Sequence, residues 1–247
     1  MRTVVLTSDK HSWLLRGFFH QWEKYRGHNG YVWDWFDVEV AGFTNPGFLP
    51  ADVPFYSIGK FEDYPVDRWS DAVIQYLHSI KDELVLIMLE DYWMLRPINR
   101  EAIFNATRYM LNNPDVIRFD LAADRMFAKN ARYIGSYGQL DICECKGDYS
   151  LSTQASIFRR EMLIEVLRPG ESPWQSELNG TDRLNKLPYR VVGSYQWPMN
   201  YAIVMNKGKL DVTGEWMYPA RTLKQDDWRN LAELGYLNPE ALSEHAL

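Results

Sequence analysis

The chain has 247 residues, 46% of them hydrophobic and 15% aromatic, which predicts one sizeable core in a single α/β domain over residues 1–247. The net charge of −6 excludes a general attraction to polyanions, so nucleic-acid binding would need a local basic patch. The two cysteines, Cys143 and Cys145, exclude a disulfide framework and a four-cysteine zinc site, and they favour a reduced, cytoplasmic protein.

The N-terminal third alternates between strand and helix patterns. Residues 3–6 read as a strand that leaves no room for a signal peptide, and no apolar segment reaches transmembrane length. A helix capped by Ser12 follows, with apolar residues at helical spacing. Residues 36–40 alternate as a second strand, and residues 42–54 form a loop with three prolines. The next helix has an apolar face made of Val73, Tyr76, Leu77 and Ile80.

The middle of the chain contains its most hydrophobic strand. Residues 84–89 are six consecutive apolar residues, which predicts a central strand covered on both faces. Asn99 then caps a predicted helix that stops at residues 112–114. A further strand covers residues 116–121, where Arg118 and Asp120 alternate and either face a site or pair with each other.

The C-terminal half is less regular. Residues 122–148 carry scattered glycines and predict an inserted hairpin or an active-site flap. Order returns with residues 151–158 and a helix after them. A late strand at residues 201–205 leads into a C-terminal tail, residues 206–247, with a terminal helix from residue 226.

Two carboxylates follow the hydrophobic strand directly. Burial of that strand forces Glu90 and Asp91 to the rim of the sheet. Ligands of α/β sheets bind outside the carboxyl ends of the strands, so Thr7, Ser8 and Asp9 are predicted neighbours of this pair. Mg²⁺ or Mn²⁺ favours one or two carboxylates plus substrate phosphate oxygens, so the pair could hold a nucleoside diphosphate. The alternative is a pair of solvated turn or capping residues.

Two segments carry a family resemblance. Residues 84–94, LVLIMLEDYWM, resemble the part of GT-A-type, family-2-like glycosyltransferases in which a hydrophobic strand ends in an acidic, DxD-like element. Residues 149–161 and 173–177 are similar to the later region of that family, which shapes the acceptor side and ends in an acidic residue at a helix start. The order of elements agrees from residue 1 to about residue 205, although the acidic element here is Glu-Asp rather than Asp-x-Asp.

This resemblance implies a GT-A-like three-layer α/β/α sandwich with a mixed, mostly parallel central sheet, and a nucleotide-sugar donor as co-substrate. It implies that Thr7, Ser8 and Asp9 hold the nucleoside, with Asp9 accepting from a ribose hydroxyl. Glu90 and Asp91 would hold the donor phosphates through Mn²⁺ or Mg²⁺. The competing interpretation of Ser8 and Asp9 is assistance in capping the following helix.

An inverting transfer also needs a carboxylate to accept the proton of the acceptor hydroxyl. Glu177 is the candidate base, because Trp174, one helical turn earlier, could form an apolar wall that raises the proton affinity of the carboxylate. Asp182 is the reserve candidate, and Glu177 could instead decorate a surface helix. Gln154 is a candidate contact to the sugar or the acceptor, or an ordinary edge-strand amide.

The acceptor stays open. It is a glycan, lipid or small molecule, or a hydroxymethylated DNA base of the kind that bacteriophages modify, for which five cations could contact phosphates: Arg125, Lys129, Arg132, Arg159 and Arg160. Other classes are a non-catalytic carbohydrate- or nucleotide-binding protein and a nucleotidyltransferase, although the latter normally has a glycine-rich loop after its first strand. Dinucleotide, P-loop, hydrolase-elbow and histidine metal motifs are absent from the sequence.

Overall fold

The computed structural model describes residues 1–26, 38–122, 131–206, 208–212 and 222–238. The helices are α1 (Leu15–Tyr25), α2 (Trp69–Ser79), α3 (Arg100–Asn112), α4 (Arg160–Val166), α5 (Pro173–Asn185) and α6 (Gln225–Glu233). The strands are β1 (Arg2–Leu6), β2 (Val38–Gly42), β3 (Phe55–Ser57), β4 (Leu84–Leu89), β5 (Tyr92–Met94), β6 (Val116–Asp120), β7 (Arg132–Tyr137), β8 (Leu140–Glu144), β9 (Ser156–Arg159), β10 (Arg190–Ser194), β11 (Tyr201–Ile203), β12 (Met205–Asn206) and β13 (Lys209–Leu210).

Nine of these strands form the central sheet, in the order β3-β2-β1-β4-β9-β6-β10-β8-β7. The first four pair in parallel, and so do β6 and β10. Strand β9 is antiparallel to both β4 and β6, and β8 is antiparallel to β10 and β7. Only β9 and β8 therefore run against the common direction, which confirms the mixed, mostly parallel sheet implied by the sequence resemblance.

Helices cover both faces of the sheet. Along β4, Leu84, Leu86 and Met88 lie in one hydrophobic core with α1, α3 and α6. Val85 and Ile87 lie in a second core with α2, α4 and α5. Burial of each such side chain contributes about 1.5–3 kcal/mol. The strand is therefore covered on both sides, as its uninterrupted apolar sequence predicts, and the three-layer arrangement is confirmed.

The helix starts agree with the sequence to different degrees. Asn99 caps α3 as predicted, because its side chain accepts from the Ala102 N–H at 3.0 Å. Helix α5 begins with a reciprocal capping box between Ser172 and Gln175. The prediction that Ser12 caps the first helix is wrong: its hydroxyl donates to the Asp9 carbonyl at 3.2 Å, and a short 3-10 helix, Ser12–Leu14, precedes α1.

Two strands of the central sheet have no counterpart among the predicted elements. Strand β10 lies between β6 and β8, but its sequence, RVVGS, is too short to form a recognisable pattern by itself. Strand β3 has three residues and follows the proline-containing loop. Both are stabilised as strands by pairing with partners distant in the sequence.

The predicted inserted hairpin lies at one edge of the sheet. Strands β7 and β8 pair with each other, and β8 joins β10, so this part of residues 122–148 extends the central sheet. Residues 123–130, 213–221 and 239–247 lie outside the described part, so the flap, the tail and the single-domain organisation stay predictions. Within the described ranges, no helix combines the length and the apolar character needed to cross a membrane.

Candidate active site

The C-terminal ends of β1 and β4 lie side by side, at the end of the sheet where the parallel strands finish. These strands are parallel neighbours, with Leu6 opposite Leu89, so the chain leaves both strands at the same level. The His11 ring is close to Glu90, with 3.8 Å between His11 Nδ1 and Glu90 Oε1. The structure therefore brings the segment after β1 against the acidic pair, as strand order alone suggested.

Glu90 and Asp91 are held in an environment that disfavours two negative charges. Burial raises the pKa of Glu90, and the neighbouring Asp91 carboxylate raises it further. Burial also raises the pKa of Asp91. The pKa of His11 is lowered by burial and by Lys10, so the imidazole adds little positive charge to offset the pair. A cationic ligand would relieve this repulsion.

The turn that presents the acidic pair is fixed from both sides. The Trp93 indole N–H donates to the Glu90 carbonyl at 3.2 Å, and the Val204 N–H donates to the Asp91 carbonyl at 3.0 Å. Gly17 of α1 packs against the Trp93 ring so closely that a Cβ there would lie 2.2 Å from a ring carbon. The main chain that carries the two carboxylates is therefore held by hydrogen bonds and by the packing of the Trp93 ring.

The acidic pair fits a divalent cation only in part. Asp91 Oδ1 is buried and has no hydrogen-bond partner among the described residues. A buried oxygen without a partner is unusual in a folded protein and can bind a ligand. The described ranges contain no group of three or more His, Cys, Asp or Glu side chains that could hold a metal. A cation at Asp91 and Glu90 would therefore take its other ligands from water and from substrate phosphates, as Mg²⁺ commonly does.

The segment after β1 is tied to the loop after β2. Both carboxylate oxygens of Asp9 accept from Thr44, one from its N–H at 2.9 Å and one from its hydroxyl at 2.8 Å. The Thr7 N–H donates to the Ala41 carbonyl at 2.9 Å. Asp9 retains lone pairs that could accept from a ribose, so the proposed nucleoside contacts of Thr7, Ser8 and Asp9 stay predictions.

Glu177 lies on α5, where it faces the chain segment before β9. Its Oε1 atom accepts from the Thr153 N–H at 2.6 Å and from the Thr153 hydroxyl at 2.8 Å. Trp174 is 68% exposed, so the contacts that orient the carboxylate come from Thr153 rather than from an indole wall. The Oε2 atom has no hydrogen bond among the described residues. Asp182 is exposed on the same helix, five residues further and about 140° around the helix axis.

Two stacked tyrosines lie next to these residues, and no sequence signal marks either as part of the site. Tyr92 follows Asp91 directly and donates to the Thr153 carbonyl at 3.1 Å. Burial, and then the electrostatic effects of Tyr201, Asp91 and Glu177, raise the pKa of Tyr92. Tyr92 and Glu177 both bond Thr153, so this residue links Glu177 to the strand that follows the acidic pair. Tyr201 stacks on Tyr92, with 4.5 Å between ring centroids.

A small cavity lies beside Glu177 and reaches the ends of β1 and β4. Its volume is about 30 Å³, and Leu6, Leu89, Trp69 and Thr153 are among its lining residues. This is room for about two water molecules, which is less than a sugar ring needs. Trp69, at the start of α2, has no sequence signal that marks it as a cavity residue, because helix-starting tryptophans are common packing residues.

Several polar residues considered for the site serve the core instead. Arg118 and Asp120 pair with each other at 3.1 Å and are fully buried, which decides between the two alternatives for them. Arg159 is also buried, and its guanidinium donates to the carbonyls of Val116 and Met110. Arg160 donates to the Asp82 carbonyl at 2.9 Å. The prediction of phosphate contacts for Arg159 is therefore wrong, because the side chain is not on the surface.

Comparison with known proteins shows a similarity of fold. No protein-family model and no curated protein sequence matches the chain. A structure of TarS of Staphylococcus aureus matches 95% of this chain at 12% identity, with a TM-score of 0.50 over 39% of that structure. Residues 1–349 of TarS match 77% of this chain at 15% identity, with a TM-score of 0.47 over 58% of that structure.

Mannosyltransferase PcManGT of Pyrobaculum calidifontis, solved with GDP-Man and Mn²⁺, matches 84% of this chain at 14% identity, with a TM-score of 0.46 over 57% of its length. The chain thus spans less than two thirds of the length of these proteins. The chain has a GT-A-like fold. In this GT-A-like fold, the acidic pair lies at the end of a central parallel strand, and Glu177 lies on a helix of the covering layer.

Proposed function

We propose that this protein is a glycosyltransferase that transfers a sugar from a nucleotide-sugar donor to an acceptor hydroxyl, with inversion at the sugar carbon. The observation that carries the proposal is that Glu177 is linked by hydrogen bonds to the segment that follows the acidic pair at the end of β4. Glu90 and Asp91 leave the end of β4, and Glu177 is connected to them through Thr153 and Tyr92. The fold and the sequence resemblance favour the same class.

The strand-end carboxylates are the proposed donor side. Asp91 Oδ1 is unpartnered among the described residues, and Glu90 is its neighbour, so these two side chains would hold Mn²⁺ or Mg²⁺ together with the donor phosphates. A bound cation would neutralise the charge that develops on the leaving nucleoside diphosphate. Thr7, Ser8 and Asp9 would contact the nucleoside.

Glu177 is the proposed general base. Its Oε1 atom is occupied by Thr153, which leaves Oε2 to accept the proton of the acceptor hydroxyl. In the proposed step, the acceptor oxygen forms a bond to the sugar carbon, the bond from that carbon to the phosphate oxygen breaks, and the proton passes to Glu177. The nucleoside diphosphate leaves with the bonding electron pair.

A glycan or another small hydroxyl compound is the acceptor we favour over a hydroxymethylated DNA base. Of the cations considered for phosphate contacts, Arg159 is buried, Arg160 is bonded to main-chain carbonyls, and Arg132 pairs with Glu144 at 2.7 Å. Arg125 and Lys129 lie outside the described residues. The three described cations of this set are therefore engaged within the protein rather than free to attract a DNA backbone.

The test is thermal unfolding of the full chain with UDP-glucose, UDP-N-acetylglucosamine, GDP-mannose and, for comparison, CTP, each with Mn²⁺ and with a chelator. A ligand at 100 times its Kd stabilises the folded state by about 2.7 kcal/mol, so binding of one donor raises Tm measurably. No rise with any donor would contradict the proposed function. A rise that the chelator leaves unchanged would remove the proposed metal role, and a rise with CTP alone would favour a nucleotidyltransferase.

A further inference from the structure

Three aromatic rings form a cluster beyond the ends of β2 and β3. Phe43 follows β2 directly, and Phe61 and Tyr64 lie between β3 and α2. Tyr64 stacks on Phe43, with 5.7 Å between ring centroids and 22° between ring planes. Phe61 meets Phe43 edge to face, at 5.5 Å and 67°. Aromatic rings prefer these two kinds of pairing, so the three rings hold one another in place.

The three rings differ in what covers them. Phe43 and Tyr64 pack against the second hydrophobic core, whereas Phe61 belongs to neither core and is 36% exposed. The Tyr64 hydroxyl donates to Gln75 of α2, and the Gln75 amide donates to the Ile58 carbonyl at 2.7 Å. Among the residues that the structure describes, no ring stacks parallel on Phe61. Phe61 is therefore held at the surface by two anchored rings, with part of its own ring open to a ligand.

Measured contacts connect this cluster to the segment after β1. Thr44, the residue after Phe43, donates to both carboxylate oxygens of Asp9, from its N–H at 2.9 Å and from its hydroxyl at 2.8 Å. Thr7 packs closely on Gly42, the residue before Phe43, since a Cβ at Gly42 would lie 2.7 Å from the Thr7 methyl carbon. Both sequence neighbours of Phe43 thus contact the segment after β1, and Phe61 is one ring contact further away.

The proposed ligand of that segment has a part that suits an aromatic surface. In a nucleoside, the ribose hydroxyls can donate to a carboxylate such as Asp9. The base is a flat aromatic ring, and every base has a face that can stack on an aromatic side chain. A ribose bound at Asp9 would therefore carry its base toward a neighbouring surface, and the aromatic cluster is next to Asp9 in the chain of contacts.

We propose that Phe61, held by Phe43 and Tyr64, is the surface on which the nucleobase of the donor stacks. This inference rests on the proposed function, since it identifies the ligand as the nucleoside part of the nucleotide sugar. Because the two supporting rings are anchored on the core, little side-chain ordering is needed when the base binds.

The experiment measures the Kd of UDP and of GDP by calorimetry on the full chain, with Mn²⁺ present. Phe61→Ala removes the ring, and we expect it to weaken binding of whichever nucleotide the wild type binds, roughly fivefold to hundredfold. Phe104→Ala is the matched control, because Phe104 has the same exposed fraction of 36% and lies on α3. Helix α3 packs near β6 and β8, on the other side of the sheet from β3, so the Kd should stay at the wild-type value.

Two further variants separate stacking from packing. Phe61→Trp keeps an aromatic face and should bind the nucleotide about as tightly as the wild type, whereas Phe61→Leu keeps apolar bulk without that face and should bind more weakly. This comparison also serves if Phe61→Ala does not fold. Equal Kd values for the Leu and Trp variants, or an unchanged Kd in Phe61→Ala, overturn the inference and leave the proposed function intact. Wild-type protein that binds neither these nucleotides nor their sugars overturns the proposed function itself.

Discussion

The two carboxylate regions of the protein hold their charges in different ways. At the end of β4, Glu90 and Asp91 are close together and desolvated, and the pKa of each is raised. On α5, Glu177 is half-buried and is oriented by two hydrogen bonds from Thr153. Burial and mutual repulsion disfavour charge in the first region. In the second, among the residues that the structure describes, Glu177 Oε1 is bonded to Thr153 and Glu177 Oε2 has no hydrogen bond.

This difference suggests separate tasks. A desolvated pair with an unpartnered oxygen is suited to binding something cationic, or something that brings a cation with it. A single carboxylate with one oxygen fixed and the other free is suited to proton transfer, which requires a defined geometry. Substitutions that remove charge in one region and keep the shape of the side chain test whether the tasks are separate.

The largest effect is expected from Glu177→Gln. Loss of a general base lowers the rate about 10²–10⁴-fold, while donor affinity is retained because the acidic pair is untouched. The measurement is kcat for nucleoside diphosphate release together with the Kd of the donor. Asp182→Asn is the comparison on the same helix. If Asp182→Asn stops turnover and Glu177→Gln does not, the base is Asp182.

An intermediate effect is expected from Glu90→Gln, on stability. The pKa of Glu90 is raised in the folded protein, so between its ordinary range and the raised value the folded state binds more protons than the unfolded state. The free energy of unfolding therefore falls as pH rises through this window. The amide introduced by the substitution cannot ionise, so the variant should have a higher Tm than the wild type at pH 8, and the difference should shrink at pH 5.

Each kcal/mol of unfolding free energy gained by removing the buried charge of Glu90 raises Tm by roughly 2–4 °C for a chain of this size. Glu62→Gln makes the same change at an exposed glutamate and is the control, with Tm expected to follow the wild type at both pH values. A Glu90→Gln variant whose advantage over the wild type grows toward pH 5 would mean that Glu90 is stabilised in its charged form.

The smallest effect is expected from Thr153→Val. This change removes the hydroxyl that donates to Glu177 at 2.8 Å and keeps the N–H bond at 2.6 Å, so transition-state stabilisation should fall by about 1 kcal/mol, or roughly fivefold in turnover. Thr44→Val removes the corresponding hydroxyl from Asp9 and should change donor Kd rather than kcat. Equal effects of both variants on kcat would show that the two regions are not separate.

The sequence predicts much of the sheet but not all of it. The uninterrupted apolar residues of β4 identify a strand covered on both faces, and Asn99 identifies the start of α3, because each signal is local. Strand β10 lies inside the sheet, between β6 and β8, but has only five residues. Its identity as a strand depends on β6 and β8, which come from other parts of the chain.

For the candidate site, likewise, the sequence predicts the acidic residues but not the contacts that orient them. The sequence predicts Glu90 and Asp91 as site residues from their place after the strand. The family resemblance predicts Glu177. The Trp174 wall proposed for Glu177 rested on helical spacing, which gives the relative positions of side chains but not their exposure. The orienting contacts instead come from Thr153, 24 residues away in the sequence.

By itself, the sequence determined that the chain forms an α/β sheet and that a buried strand delivers two carboxylates to its rim, because a continuous apolar segment followed by charges leaves no other favourable place for either. Only the tertiary structure decided that Tyr92 stacks on Tyr201, and that Thr153, 24 residues distant from Glu177, bonds both Tyr92 and Glu177. Such contacts depend on the order of strands and on side-chain packing, which no local periodicity encodes.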